Sequence, residues 1–343
     1  MTTPSGIAPP APDPVPTFSR TIERSLVHRA AVSEVLVTDL VPTGKEDFVA
    51  GAQLPLGHGY FSDHLRSPVS YDFLLLLEAA RQAGTAASHR QLDIPQGTVF
   101  LVHNWSIEID DPAALDPGPR PGELEMTGSV HRLAGRNGRL RGVDSPVSLR
   151  IGGREIGRAR ITVGAASGDD YTKLRFLQRK STPPLTSDLG GVVRSRPADA
   201  NAVGRRNPSN VVLGEPRRAD GAISAQVEPR FENASLFDHT YDHIPAMVLT
   251  EAARQLAHLA GVPVSAAVTG CTADFTRFVE LDAPLVATAA LPGSGSLPGS
   301  FPGSFPGSLS VDFLQDGASA GRITLSFAPS PAGAAGSGEV EAS

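Results

Sequence analysis

A five-residue segment, Glu-Ala-Ala-Arg-Gln, occurs twice in this chain of 343 residues, at Glu78–Gln82 and at Glu251–Gln255. Three other segments recur around it in the same order. They pair Val27–Val37 with Val203–Leu213, Ala52–Leu54 with Ala225–Val227, and Ser106–Asp110 with Phe278–Asp282. Repeated blocks in one order are typical of structurally equivalent units. The sequence therefore predicts two halves of the same fold.

Each half has the pattern of strands, a loop, a helix and then further strands. In the first half, alternating apolar residues predict strands at Val99–Ile109, Glu123–His131, Val147–Ile151 and Glu155–Val163. The helix is apolar on nearly all sides, with Phe73–Leu77 before Glu78 and Met247–Leu249 before Glu251, as expected of a buried helix. We therefore predict an α+β fold, a tandem double hotdog. Each half wraps an antiparallel sheet around a long central helix, and the halves pack as an intrachain pseudo-dimer.

Composition indicates where the domains begin and end. Proline and small residues predict disordered tails at 1–20 and 329–343. Between the tails we expect two hotdog domains, at 21–165 and 203–328, which are joined by a linker at 166–202. A repeated Pro-Gly-Ser tract at 291–310 cannot contribute to a core. Because the predicted strands Leu285–Leu291 and Leu309–Leu314 flank it, we expect a flexible hairpin loop inside the second domain.

Several classes of function conflict with the composition. A net charge of −6 argues against a nucleic-acid partner. No apolar run approaches the ~18 residues of a membrane span, and the N-terminus lacks the features of a secretory signal, so a cytoplasmic protein is expected. Cys271, the single cysteine, is expected to be a buried thiol. We expect no metal or cofactor, since the closest ligand spacing, His239 to His243, lacks a third ligand.

The repeated helix carries the residues most suited to chemistry. Glu78 and Arg81 are three residues apart and share a helix face, as do Glu251 and Arg254. On an exposed helix such a pair is an ordinary salt bridge, but on an apolar helix the carboxylate is desolvated, which favours a functional role. A histidine-bearing loop precedes each helix, with His64 in the first half. Histidine and glutamate together suit acid–base catalysis.

These motifs resemble those of two hotdog families. The spacing from His64 to Glu78 resembles that of beta-hydroxyacyl-carrier-protein dehydratases, in which each site combines the histidine of one protomer with the glutamate of the other. The whole pattern more closely resembles the A-factor biosynthesis (gamma-butyrolactone synthase) hotdog family. The matching segments are Val27–Arg29, Ala52–Pro55 with Gly57 and His58, Leu77–Gly84, Phe237–His239 and Met247–Gln255.

The second resemblance implies an activity and its partners. It implies transfer of a beta-ketoacyl group from acyl carrier protein to the hydroxyl of dihydroxyacetone phosphate, in the biosynthesis of gamma-butyrolactone-type signals. The implied partners are therefore an acyl carrier protein loaded with a beta-ketoacyl chain and dihydroxyacetone phosphate.

A pseudo-dimer of this kind would have two unequal clefts. One would combine the His64 loop with the Glu251 helix, and the other the His239 loop with the Glu78 helix. The predicted catalytic residues are Glu78, Glu251, Arg254, His64 and His239, with glutamate as general base and helix N-terminal N–H groups polarising the thioester carbonyl. The predicted substrate-binding residues are Arg81, His243 and Asp242, and Arg81 or Arg254 would bind the phosphate or orient the glutamate.

Two other classes of function fit the same motifs. A hotdog thioesterase or dehydratase would use the glutamate to activate water or remove an alpha-proton. A non-catalytic regulator would use the fold only to bind a ligand, but an apolar helix without Glu-Ala-Ala-Arg would suffice for that. Four basic residues near the linker are candidates to contact a carrier protein, although a solvated stretch is the simpler interpretation: Arg194, Arg196, Arg205 and Arg206.

Overall fold

The computed structural model describes residues 14–189, 195–291 and 307–328. Most of the predicted N-terminal tail, part of the linker, most of the Pro-Gly-Ser tract and all of the C-terminal tail lie outside these ranges. The helices are α1 (Phe73–Gln91), α2 (Gly168–Arg179) and α3 (Ala246–Leu259). Among the described residues, no helix combines the length and apolarity that crossing a membrane requires.

The strands divide between the two halves. Those of the first half are β1 (Val37–Pro42), β2 (Asp47–Leu54), β3 (Val99–Ile109), β4 (Gly122–Ser129), β5 (His131–Ala134), β6 (Leu140–Ile151) and β7 (Arg154–Ala166). Those of the second half are β8 (Arg217–Ala219), β9 (Ala222–Gln226), β10 (Ala267–Phe275), β11 (Leu285–Ala290), β12 (Ser308–Gln315) and β13 (Ala318–Ala328).

All described strands form one antiparallel sheet, which runs continuously through both halves. Its order is β1-β2-β4-β6-β7-β3-β10-β13-β12-β11-β9-β8, with β5 paired to β6. The halves meet where β3 pairs with β10, so that Ser106 lies opposite Thr272. Read outward from this seam, the two halves have corresponding strand orders. This arrangement is the pseudo-dimer expected from the repeat.

Each central helix is buried against the sheet of its own half. In α1, all residues from Phe73 to Ala80 are buried, and α3 is buried from Val248 to Ala257. Small residues allow the close approach, since a Cβ added to Gly84 would lie 2.7 Å from the hydroxyl oxygen of Ser145. Full burial of each leucine stabilises the fold by roughly 1.5–3 kcal/mol. The predicted double hotdog is confirmed.

The predicted strands lie close to the observed ones, and β3 has the predicted bounds. Strands β11 and β12 pair directly, so the Pro-Gly-Ser tract connects two neighbouring strands. The predicted equivalence of Ser106–Asp110 with Phe278–Asp282 is wrong, because the first segment forms the end of strand β3 whereas the second lies in a loop. Val279 and Leu281 are both buried in that loop, which reproduces the alternation of a strand.

The predicted linker contains a helix that the sequence analysis missed. Helix α2 is capped by Ser167, which accepts a hydrogen bond from the amide of Asp170. Its buried residue is Arg175, so the apolar periodicity that signals an amphipathic helix is absent. The predicted N-terminal tail is also partly wrong, because the backbone amide of Thr17 donates to Asp39 on β1 at 3.0 Å.

Candidate active site

The carboxylate of Glu251 lies fully buried where the two halves meet. Its Oε1 accepts hydrogen bonds from Arg205 at 2.8 Å and Gln255 at 2.6 Å. Its Oε2 accepts from Arg254 and from the hydroxyl of Tyr60, at 3.0 Å in each case. Tyr60 belongs to the first half, so the site combines the loop of one half with the helix of the other.

Glu78 occupies the corresponding position in the other cleft. Its Oε1 lies 2.6 Å from Nη2 of Arg29 and accepts a hydrogen bond from Gln82 at 2.7 Å. Arg81 donates from Nε to Oε2 and from Nη2 to Oε1, each at 2.8 Å. Glu78 is only 2 % exposed. Each glutamate is therefore surrounded by two arginines and one glutamine.

These guanidinium groups determine the protonation state of both glutamates. Burial alone would raise the pKa of Glu78, but Arg29 and Arg81 outweigh it and lower this pKa to about 2. Burial likewise opposes ionisation of Glu251, and Arg205 and Arg254 outweigh it to lower its pKa. Both side chains are thus carboxylates at neutral pH, and both are weak bases.

An aspartate from each half ties the histidine loop to the arginine-bearing segment of the other half. Asp238 accepts hydrogen bonds from the amide of Ala30 at 2.9 Å and from Nη1 of Arg29 at 3.2 Å. Asp63 accepts from the amide of Arg206 at 3.1 Å. The expected pairing of each histidine loop with the opposite helix therefore has a structural basis.

The two clefts differ at the N-termini of the central helices. Asp72 caps α1, accepting from the amide of Leu74, and also accepts from Nη1 of Arg254 at 2.7 Å. Pro245 occupies the equivalent N-cap of α3 and provides no side-chain cap. Nη1 of Arg81, the counterpart of Arg254, has no hydrogen-bond partner among the described residues. The Glu78 cleft thus retains an open guanidinium donor and an uncapped helix N-terminus.

The two predicted catalytic histidines have different environments. His64 is buried and its Nε2 lies 3.0 Å from the carbonyl oxygen of Ser70, with no hydrogen bond to Glu251. Burial lowers the pKa of His64. The side chain of His239 is 42 % exposed, and its Nδ1 lies 2.6 Å from Asp238. The Nε2 of His239 has no hydrogen-bond partner among the described residues, so it is available to a ligand.

The predicted substrate-binding residues do not lie together. Arg81 lines the Glu78 cleft, whereas Asp242 and His243 are held by α2. Asp242 accepts hydrogen bonds from Tyr171 at 2.6 Å and from Nε of Arg175 at 2.9 Å, and lies 2.6 Å from Nδ1 of His243. Burial raises the pKa of Asp242, but the contact with His243 and the other donors outweigh it and lower this pKa well below its usual range. These residues form an ion-paired clamp between the linker helix and the second half.

Several site residues escaped the sequence analysis. Arg205 was placed with the solvated linker arginines, yet it is 1 % exposed and binds Glu251. The repeat contained the signal, because Arg29 and Arg205 end the repeated triplets Val27–Arg29 and Val203–Arg205. Tyr60 and Asp72 had no such signal, since each acts on the opposite half. Arg196 is exposed as expected, and Arg194 lies outside the described residues.

Two expectations remain, one for the single cysteine and one for metal ligands. Cys271 is buried, which raises the pKa of its thiol to about 12 and confirms the expected structural cysteine. Across the described ranges, no group of histidine, cysteine, aspartate or glutamate side chains is arranged to hold a metal ion.

Comparison with known proteins identifies the relatives of this chain. The family model of the A-factor biosynthesis hotdog domain matches residues 11–167 and 193–330. The 2-oxo-3-(phosphooxy)propyl 3-oxoalkanoate synthase of Streptomyces virginiae is 34 % identical over 272 residues, covering 78 % of this chain and 86 % of the relative. The synthase of the same name from Streptomyces griseus subsp. griseus is 29 % identical over 296 residues, covering 82 % and 88 %. Among solved structures, the 12:0-ACP thioesterase from Umbellularia californica aligns with a TM-score of 0.43 at 11 % identity, covering 84 % of this chain and 99 % of that one.

Proposed function

Because the chain belongs to the A-factor biosynthesis hotdog family, we propose that it transfers a beta-ketoacyl group from a thioester to the hydroxyl of dihydroxyacetone phosphate. The relatives are named for a 2-oxo-3-(phosphooxy)propyl 3-oxoalkanoate, which is the ester of these two components. The resulting ester would enter the synthesis of gamma-butyrolactone-type signals. We assign the reaction to the Glu78 cleft.

The observation that carries this assignment is the open donor of Arg81. A phosphate ester needs a cationic partner with free N–H groups, and a guanidinium provides them in a planar fork. Nη1 of Arg81 has no hydrogen-bond partner within the described ranges, whereas Asp72 occupies the corresponding donor of Arg254. We therefore propose that the Glu251 cleft stabilises the fold and does not carry out the reaction.

In this proposal Glu78 orients arginines and does not act as the base. With a pKa of about 2, its carboxylate has little tendency to take a proton from a hydroxyl. Its hydrogen bonds instead hold the guanidinium groups of Arg29 and Arg81 in place. Glu251 would hold Arg205 and Arg254 in the same way.

We assign the general base to His239. Asp238 accepts the Nδ1 proton of the neutral imidazole, which leaves a lone pair on Nε2. Nε2 would take the proton of the acceptor hydroxyl as its oxygen bonds to the thioester carbon. The carbon–sulfur bond then breaks, and the proton passes from His239 to the departing thiolate.

The oxyanion formed during attack also needs stabilisation. Amide N–H groups in the first turn of α3 lack a side-chain cap, and helix N-termini stabilise negative charge. These amides would therefore polarise the thioester carbonyl. We further propose that acyl carrier protein delivers the acyl group, and that the reaction takes place in the cytoplasm.

Mass spectrometry of the purified protein with a beta-ketoacyl thioester and dihydroxyacetone phosphate tests the proposal. The acyl ester is the expected product, and His239→Gln should form it at least ~10²-fold more slowly. His131→Gln is the matched control, because His131 is exposed on β5. Free acid as the sole product would identify a thioesterase instead.

A further inference from the structure

We propose that His28 is a second phosphate ligand beside Arg81, and that it takes up a proton when a phosphate monoester binds. The assignment rests on the proposed function for the identity of the ligand, but an anion site can be tested without any thioester. Hydrogen bonds hold the backbone on both sides of His28. Nη2 of Arg81 donates to the carbonyl of Val27 at 3.3 Å, and the amide of Ala30 donates to Asp238.

A hydrogen-bond relay determines which nitrogen of His28 is open. Nδ1 of His89 lies 2.7 Å from the carbonyl oxygen of Ile94, which can only accept, so this nitrogen carries a proton. Nε2 of neutral His89 is then an acceptor, and it lies 2.8 Å from Nε2 of His28. Nε2 of His28 must therefore be the donor. Its Nδ1 carries a lone pair and has no hydrogen-bond partner in the described part of the chain.

The surroundings hold the ring of His28 in this position. It stacks on Phe100 with ring centroids 5.5 Å apart and an interplanar angle of 19°. Its backbone has the left-handed φ of 54°, which is uncommon for residues other than glycine. The second half has Gly204 at the equivalent position with φ of 76°, where His258 occupies the adjacent space. Of these two equivalent positions, the one beside the Glu78 cleft carries an imidazole, on a residue whose backbone conformation is strained.

The charges around His28 favour an anion. Arg81 and His89 face it from α1, and His239 faces it from the loop of the second half. Burial and these neighbours lower the pKa of His28 to about 4, so the ring is neutral at pH 7. A bound dianion would reverse the balance and favour protonation at Nδ1. The imidazolium would then donate from Nδ1 to a phosphate oxygen while Nε2 still donates to His89.

Sulfate is the appropriate probe because its charge is constant from pH 5 to 8, whereas a phosphate monoester titrates near pH 6. Titration calorimetry of the full chain should show sulfate affinity rising roughly tenfold per pH unit as pH falls, as expected for uptake of one proton. Buffers with different ionisation enthalpies should report that proton directly. In His28→Gly the slope and the proton uptake should disappear, and glycine suits this backbone conformation, as at Gly204.

Two further variants strengthen the test. His28→Asn tolerates a left-handed backbone and lacks a titrating group, so it should match His28→Gly. His239→Gln should keep the proton uptake, which separates the two histidines. Absence of sulfate binding, a pH-independent affinity in the wild type, or an unchanged slope in His28→Gly would each overturn the assignment. Failure to form the ester, with sulfate-linked proton uptake intact, would count against the acyltransferase alone.

Discussion

Asp72 accepts a hydrogen bond from Arg254 across the interface between the two halves, with Oδ2 and Nη1 2.7 Å apart. Its other oxygen caps α1. This single carboxylate therefore occupies both anion-binding features of the Glu251 cleft, the helix N-terminus and the arginine. Pro245 stands at the equivalent position of the Glu78 cleft and occupies neither.

Pro245→Asp should close the Glu78 cleft in the same way. The new carboxylate should cap α3, which stabilises a helix by about 0.5–2 kcal/mol, and pair with Arg81. Competition with the substrate phosphate should raise KM for dihydroxyacetone phosphate at least ~10-fold. Steady-state kinetics and urea unfolding measure the two effects. Pro245→Ala serves as the control, and an unchanged KM in Pro245→Asp would count against a phosphate site at Arg81.

Glu78→Gln and Glu251→Gln should separate activity from stability. Glu251 is fully buried between Arg205 and Arg254, so neutralising it should lower the free energy of unfolding by about 3–5 kcal/mol. Arg29 keeps Asp238 and Arg254 keeps Asp72, so each substitution leaves one arginine without a carboxylate. In Glu78→Gln that arginine is Arg81, with 18 % of its side chain exposed against 1 % for Arg205, so the loss of stability should be smaller. Ester formation should nevertheless fall by at least ~10-fold in Glu78→Gln, because Arg81 loses its anchor. The reverse order of the two effects would place the reaction in the Glu251 cleft.

The α2 clamp should contribute strongly to stability. Arg175 is 2 % exposed and pairs with Asp242 at 2.9 Å and Glu280 at 2.8 Å. Arg175→Met removes the buried guanidinium that both carboxylates share, which should cost about 3–5 kcal/mol in urea unfolding. Lys173→Met alters an exposed residue of the same helix and should change stability by less than ~0.5 kcal/mol. Equal effects of the two substitutions would show that the clamp is not stabilising.

Acid should destabilise the protein in two stages. His28 and His258 have pKa values lowered from 6.5 to about 4, chiefly by burial, so the neutral forms stabilise the fold above pH 6.5. That stability is lost as pH falls from 6.5 to about 4. The pKa of Glu78 is lowered from 4.5 to about 2, so its contribution is lost between those values. Thermal unfolding midpoints from pH 8 to 2 should fall in both windows, and His28→Gly should reduce the first decrease.

The sequence by itself determined the repeat, the buried helices, several of the strands and the Glu-Arg pair on each helix. These features depend on residues close together in the chain, where helical and strand periodicity leave a visible pattern. The local pattern failed where apolar burial and regular secondary structure did not coincide, because Val279 is buried in a loop and helix α2 buries Arg175.

Only the tertiary structure decided which residues surround each glutamate and how the clefts differ. Asp238 reaches Arg29 across 209 residues of sequence, and Asp72 reaches Arg254 across 182. No periodicity relates such pairs, because they meet only when the halves pack at the seam between β3 and β10. A proline in place of an aspartate is unremarkable in the sequence. It becomes decisive because Asp72 binds Nη1 of Arg254 in one cleft, whereas Nη1 of Arg81 has no hydrogen-bond partner among the described residues in the other.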